Sequence, residues 1–219
     1  MFFHFHPYRP YINNNTKTLI VGTLPPPRFC EKNFKKSDVD FCYGSKDNLL
    51  WPALDKIFNL NLDYNNSINA IKQRKDFLNK HYIGICDIVE SCNREKIDAS
   101  DLGMRNIKLR DIIGYIKNSP NIDKIIFTGK NSKNGPEYFF RKVIKELNLQ
   151  ITPIENDNIR VHKLLLNSRV IKLYSLTSPS NAANRSIGAT AMYKKLKLDN
   201  PKYTTFDYRV KEYTYAFTN

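Results

Sequence analysis

Several short segments of this chain gather residue types that do chemistry only in company. The stretch 41–51, FCYGSKDNLLW, sets an aromatic (Tyr43), a glycine turn, a cation, a carboxylate (Asp47) and an amide (Asn48) just ahead of a helical pattern. Ser45, Asp47 or Asn48 there can cap the helix by accepting from its free first amides. Capping and catalysis are compatible, so both stay open. Asp87 closes an apolar run, YIGICD at 82–87. A carboxylate in that place costs free energy unless it finds donors, so it is paired with an arginine or amides, or aimed into a ligand pocket. The stretch 177–185, TSPSNAANR, is a small polar loop with Arg185 close behind, able to touch a phosphate backbone. In GTLPPP, at 22–27, three prolines fix the backbone and remove three amide donors. That makes a stiff turn and not a phosphate cradle, which needs glycines and free amides.

These segments share a position. Four apolar runs, TLIVG at 18–22, YIGICD at 82–87, KIIFT at 124–128 and VIKLYSL at 170–176, have the length and continuity of strands buried on both faces. Helical patterns lie between them: Trp51, Leu54, Ile57 and Phe58; Ile107, Ile112, Ile113 and Ile116; Phe139, Phe140, Val143, Ile144 and Leu147. A further helix is expected over about 186–197, a surface loop over 63–69, and a last structural element, without assigned function, over 203–217. Strands alternating with helices predict an α/β sandwich around a parallel sheet. Open sheets of this kind hold ligands beyond the carboxyl ends of their strands, which is where the segments above fall.

Length and composition narrow the field. The 219 residues suit one domain, 1–219, and 41% apolar residues supply a sizeable core. Lysine and arginine number 35 against 21 acids, a net charge of +14 that draws polyanions, nucleic acid above all. The cysteines Cys30, Cys42, Cys86 and Cys92 form no CxxC pair, which argues against a zinc ribbon or an iron–sulfur cluster. Cys86 reads as a small buried hydrophobe and the compartment as reducing. MFFHFHP at the start lacks a basic opening and a cleavage site, and no stretch reaches membrane-spanning length. The expectation is a cytoplasmic protein without membrane contact and a monomer. His4 and His6 stand apart from other ligand-type residues and are expected to be structural or solvated. Neither G-x-S-x-G nor a glycine-rich phosphate loop is present, against an α/β hydrolase or a nucleotide-binding enzyme.

In order and spacing, LIVGTLPPPRF, FCYGSKDNLLW, GICDIVESC, IIFTGK and TSPSNAA together resemble the uracil-DNA glycosylase superfamily, most nearly its hypoxanthine-DNA and mismatch-specific uracil glycosylase branch. The likeness runs over about 19–185. It implies a three-layer α/β/α sandwich on a four-stranded parallel sheet. It also implies a monofunctional enzyme that removes a damaged base, uracil or hypoxanthine, from DNA carrying a deaminated or mismatched base, with neither metal nor cofactor.

The resemblance also implies roles. The family's water-activating acid or amide commonly stands two residues after the first glycine. Here that residue is Leu24, which can do neither and is left to line the base pocket. In the hypoxanthine branch an asparagine ahead of a tryptophan takes over; aligned on Trp51 it is Asn48, with Asp47 the alternate. Tyr43 falls where an aromatic stacks on the extruded base. Asp87 falls where the base edge is read; ionised, it accepts from uracil N3–H or hypoxanthine N1–H but cannot donate. Ser178 donates to the leaving base, Ser180, Asn181 and Arg185 hold the DNA backbone, and Ala182 replaces the residue that wedges into the duplex. Leu24, Asp87 and Ala182 are equally compatible with a catalytically silent DNA-binding module on the same scaffold.

Overall fold

The four apolar runs form strands covered on both faces over most of their length. In the computed structural model, which describes residues 1–98, 100–156 and 159–219, every residue of the second of these strands is buried, and in the third Lys124, at its start, is the one partly exposed. The chain opens with β1 (Phe2–Phe5) and β2 (Thr18–Gly22), then α1 (Leu50–Phe58) and α2 (Ile68–Lys80). Next come β3 (Ile83–Asp87), β4 (Val89–Arg94), β5 (Met104–Leu109), α3 (Ile112–Asn118), β6 (Lys124–Phe127) and α4 (Pro136–Glu146). It ends with β7 (Ile151–Ile154), β8 (Arg160–Leu166), β9 (Arg169–Ser175), α5 (Asn184–Ala189), α6 (Ala191–Asp199) and α7 (Thr205–Thr218).

The main sheet has the order β3-β2-β6-β9-β8-β7. The expected runs form its parallel part, β3, β2, β6 and β9. The sheet is six-stranded and not four-stranded, because β8 and β7 continue it antiparallel. Asn167 and Ser168, both with positive φ (50° and 63°), turn β8 into β9; two such residues make the hairpin turn that matches strand twist. Side chains alternate across the parallel strands. Ile20, Ile85 and Ile126 pack on one face with α1, α2 and α7, while Leu19, Val21 and Phe127 pack on the other with α3 and α4. A second, three-stranded antiparallel sheet, β1-β4-β5, lies beside it.

Three sequence expectations need correction. Ile107 belongs to β5 and not to the helix of Ile112, Ile113 and Ile116. The helix expected over 186–197 is two, α5 and α6, parted at Thr190, whose extended backbone lets its hydroxyl cap α6 by accepting from Tyr193 N. The loop expected over 63–69 runs into α2, capped by Ser67. Among the described residues no helix is long and apolar enough to cross a membrane.

Chain direction explains where a site forms. From β2 the chain moves to β3, then returns to the far side of β2 as β6 and continues to β9. The carboxyl ends of β2 and β6 are therefore the switch point where loops diverge and leave a crevice. The N-terminal segment closes the outer edge of β3, Tyr11 exchanging backbone hydrogen bonds with Ile85 at 3.0 Å each.

Trp51 anchors the long β2–α1 connection. It is 1% exposed, contacts Phe41 and Phe77, and donates from Nε1 to the Cys42 carbonyl at 2.8 Å. Trp51→Ala is expected to cost about 3–5 kcal/mol, in the range of large aromatic truncations. Urea unfolding followed by far-UV circular dichroism measures it; a loss under about 1 kcal/mol would contradict the anchoring role.

Candidate active site at the carboxyl ends of the parallel strands

A cavity of about 590 Å³ opens beyond the strand ends, within the roughly 300–1,000 Å³ of small-molecule pockets. Leu24, Tyr43, Asp47, Asn48, Asp87, Ser178 and Ser180 all line it, although the sequence distributes them over more than 150 positions. Asn181 and Arg185, expected beside them, are absent from the lining. Both are exposed, Asn181 in the helical turn Asn181–Ala183 and Arg185 in the first turn of α5. Ala182 does reach the cavity.

Asp87 ends β3 with 5% exposure. His6 Nε2 lies 2.9 Å from its Oδ2. His6 Nδ1 accepts from Tyr8 N at 3.1 Å, so the ring proton is assigned to Nε2, which donates to the carboxylate. The other oxygen, Oδ1, is buried and has no hydrogen-bond partner. Leaving it so costs about 1–3 kcal/mol, recoverable by a ligand N–H. The expected histidines are thus structural and not solvated: His4 and His6 are both buried. Burial first, and then Arg94, lowers the His4 pKa to about 4.

Gly22 lets Tyr43 and Asp87 meet. A Cβ there would lie 2.0 Å from Tyr43 Oη and 2.6 Å from Asp87 Oδ1, contacts no side chain tolerates. Tyr43 itself sits in the left-handed region (φ 57°), which turns the chain sharply. Its phenol lies 2.9 Å from Thr128 Oγ1 and also neighbours the Asp87 carboxylate. Burial, and then the neighbouring Asp87 charge, raises its pKa well above the usual phenol value.

None of Ser45, Asp47 and Asn48 caps α1, whose N-cap is Leu49 with no side-chain bond; Asn48 instead holds the turn that enters the helix. Its Oδ1 accepts from Leu50 N at 2.9 Å, which leaves the carboxamide NH2 and a second lone pair available. Backbone bonds tie this loop to the one after β9: Leu49 N donates to Pro179 O at 2.8 Å, and Asn48 faces Ser180 across an isolated bridge. Ser178 Oγ accepts from Ser180 N at 3.3 Å, so its own O–H remains free to donate.

Two buried groups that sequence reasoning missed hold these loops. Asp38, fully buried, accepts both Arg28 bonds at 2.8 Å together with Lys35 N and Lys46 N. Burial would raise its pKa, but these donors outweigh burial and lower it. Arg28, thus fixed, also donates to Ser45 Oγ at 2.8 Å and lines the cavity. On α7, Arg209 is fully buried and donates to Ser178 O at 2.9 Å, Ser180 O at 2.7 Å and Asn184 Oδ1 at 2.8 Å. The element over 203–217 therefore braces the cavity wall. No single-sequence signal marks these cations, which look like the other basic residues.

Asp101 was also missed. It lines the cavity from the turn Asp101–Gly103 and accepts from Thr23 Oγ1 at 3.3 Å. Burial raises its pKa to about 6; the Thr23 bond and Arg94 lower it, and Asp87 adds a smaller upward push.

The comparisons with known proteins follow this geometry. No family model matches the chain, and no curated protein does. Among solved structures, a solution NMR structure named "putative Uracil DNA glycosylase from Methanosarcina acetivorans" superposes with a TM-score of 0.54 at 17% identity, covering 94% of this chain and 98% of that one. The chain has that protein's fold. At such identity the likeness extends to architecture, and the chemistry has to be argued from the residues themselves.

Because the Asp101 pKa is raised above its ordinary 3.8, the folded chain holds a proton that the unfolded chain releases between about pH 4 and 6. Stability from this group is therefore intact below about pH 4 and declines as pH climbs through 6. Asp101→Asn removes that penalty and is expected to stabilise the protein at pH 7.5 by up to about 3 kcal/mol, with no gain near pH 3.5. Chemical denaturation at both pH values checks it; a destabilised variant at pH 7.5 would count against the burial argument.

Proposed function

We propose that this chain is a monofunctional DNA glycosylase that hydrolyses the N-glycosidic bond of a deaminated base, uracil or hypoxanthine, flipped out of DNA. Supporting this are the glycosylase-like fold, the net charge of +14 and, above all, Asp87, which lines a base-sized crevice and whose buried Oδ1 has no hydrogen-bond partner. We read the fold as the three-layer α/β/α form of the superfamily, and the motif at 41–51 as that of its hypoxanthine and mismatch-specific branch. The chain acts as a monomer and needs neither metal nor cofactor in this reading.

A base in duplex DNA must be extruded before any side chain reaches its sugar, at a cost of a few kcal/mol that is least for mispaired bases. Asp87 Oδ1 then accepts the imide or lactam N–H, while Tyr43 and Leu24 flank the ring. Cleavage passes through an oxocarbenium-like sugar as the bonding pair moves into the base. Ser178 O–H donates to the base oxygen that gathers this charge, a contact worth about 3 kcal/mol in comparable oxyanion sites. Asn48, fixed by its bond from Leu50 N and by the Ser180 bridge, orients the water, with Asp47 as the alternate. Ser180, Asn181 and Arg185 sit at the rim, where phosphates pass.

A single-turnover screen over duplex and single-stranded oligonucleotides carrying uracil, hypoxanthine or no lesion tests the activity. Release of a deaminated base supports it. DNA binding with no base released would instead favour a silent binding module, which the non-polar Leu24 would tolerate. Asn48→Ala should lower the single-turnover rate by about 100-fold or more, with the DNA dissociation constant within about threefold, as fluorescence anisotropy would report. An unchanged rate would remove Asn48 from the mechanism. Affinity should also fall steeply with salt, with a log–log slope near −0.9 per phosphate neutralised; a flat salt titration would contradict DNA as the partner.

A further inference from the structure

Three carboxylates line the cavity, and they are not equivalent. Asp87 has one oxygen committed to His6 and the other buried without a hydrogen-bond partner. Asp47 is 54% exposed and stands between two cations, 3.8 Å from Arg28 and 3.6 Å from Lys46. Asp101 is different. Among the described residues its side chain takes one hydrogen bond, the long one from Thr23 at 3.3 Å. The turn that carries it is pinned from behind, Asn134 Nδ2 donating to Asp101 O at 3.0 Å and Arg94 to Ser100 O. Thr23 follows β2 directly and precedes Leu24, which has no polar side-chain atom. Asp101 thus brings a carboxylate to the stretch of wall where the strand-end turn supplies none.

We infer that Asp101 is the general base of this site, taking a proton from the water that attacks the sugar. The inference rests on the glycosylase reading above. In the step, the water oxygen bonds to C1′ as the C1′–N bond breaks and its electron pair leaves with the base. One water proton passes to Asp101, and from there through solvent to the departed base. Neither oxidant nor further reactant is needed. A general base works best when its pKa lies just below the working pH, and burial sets Asp101 at about 6. The charged groups facing it are Arg94 from β4 and Asp87 from β3, with Thr23 as the hydrogen-bonding neighbour after β2. Asp98 precedes it and pairs with Arg94 at 3.5 Å. Asn48 orients the same water without accepting its proton.

The test is the pH dependence of single-turnover excision from pH 5 to 8.5, at saturating enzyme, on the best substrate of the screen. The wild-type rate should rise about tenfold per pH unit below about 6 and level off above. Asp101→Asn should be slower by about 100-fold or more and flat across that limb, with DNA affinity within threefold. Asn48→Ala should be slow yet keep the wild-type limb. Added formate should restore part of the rate in Asp101→Ala, which loss of a merely structural contact would not allow. A wild-type rate independent of pH, or an Asp101→Asn rate within threefold of wild type, would overturn the assignment while leaving the glycosylase reading intact. If the wild-type chain releases no base at all, the glycosylase reading fails and this inference fails with it.

Discussion

Asp87 closes a strand with no solvated face, and its carboxylate can remain there only because His6 gives a hydrogen to one of its oxygens. Much of the molecule is arranged around that pairing. For His6 to reach the end of β3, the N-terminal segment has to run back along the protein. It does so by pairing β1 with β4 and by clipping Tyr11 to Ile85. For Tyr43 to stand over the same point, Gly22 must lack a side chain and Tyr43 must accept a positive φ. The second carboxylate oxygen is then one of the buried acceptors left unmatched among the described residues, Glu137 Oε2 being another. A fold maintained against that penalty points to a ligand that removes it.

The walls around this point are held by two cations, the half-buried Arg28 and the fully buried Arg209. Arg28 is clamped by Asp38, and Arg209 is embedded among the carbonyls of the loop after β9. Taking a guanidinium out of water is costly unless each N–H finds an acceptor. Here those acceptors are backbone and side-chain oxygens of the very loops that face the cavity. The desolvated charge and the loop therefore fix each other, and the donors at Ser178 and the amide at Asn48 keep their aim without a ligand. Rigid, pre-aimed dipoles avoid reorganisation at the moment of reaction, which is where electrostatic catalysis gains most.

How much of this the amino-acid order reveals depends on the kind of force involved. The four parallel strands were legible because burial over most of their length demands short apolar runs, and the residues after them were legible because sheet topology gathers strand ends. The hairpin of β7 and β8 was not. Pro153 suits an edge strand, β8 mixes Arg160 and Lys163 into its exposed positions, and Asn167-Ser168 is a weak turn signal beside Asn-Gly. Ile107 followed helical spacing by coincidence and belongs to an antiparallel strand with one solvated face. His6, Arg209 and Asp101 were illegible for a different reason. Their meaning lies in long-range partners, such as His6 with Asp87 across 81 positions, that no local pattern encodes.

The sign of the charge changes between the outside and the cavity. Overall the chain carries +14, and Lys46, Lys130 and Lys133 are exposed on loops next to the strand ends, whereas the cavity itself is lined by Asp47, Asp87 and Asp101 with Arg28 the cation among its lining residues. On the proposed reading, a polyanion drawn by the outer field is repelled by the inner one, so its phosphates stay outside the cavity and only an uncharged group gains by going deeper. An extruded nucleobase is such a group. The same crowding of carboxylates contributes to the raised basicity of Asp101, since Asp87 pushes its pKa upward in addition to burial. On the proposed reading, one electrostatic arrangement therefore does two jobs. It sorts base from backbone at the entrance, and it keeps a proton acceptor of useful strength at the place where the water must lose its proton.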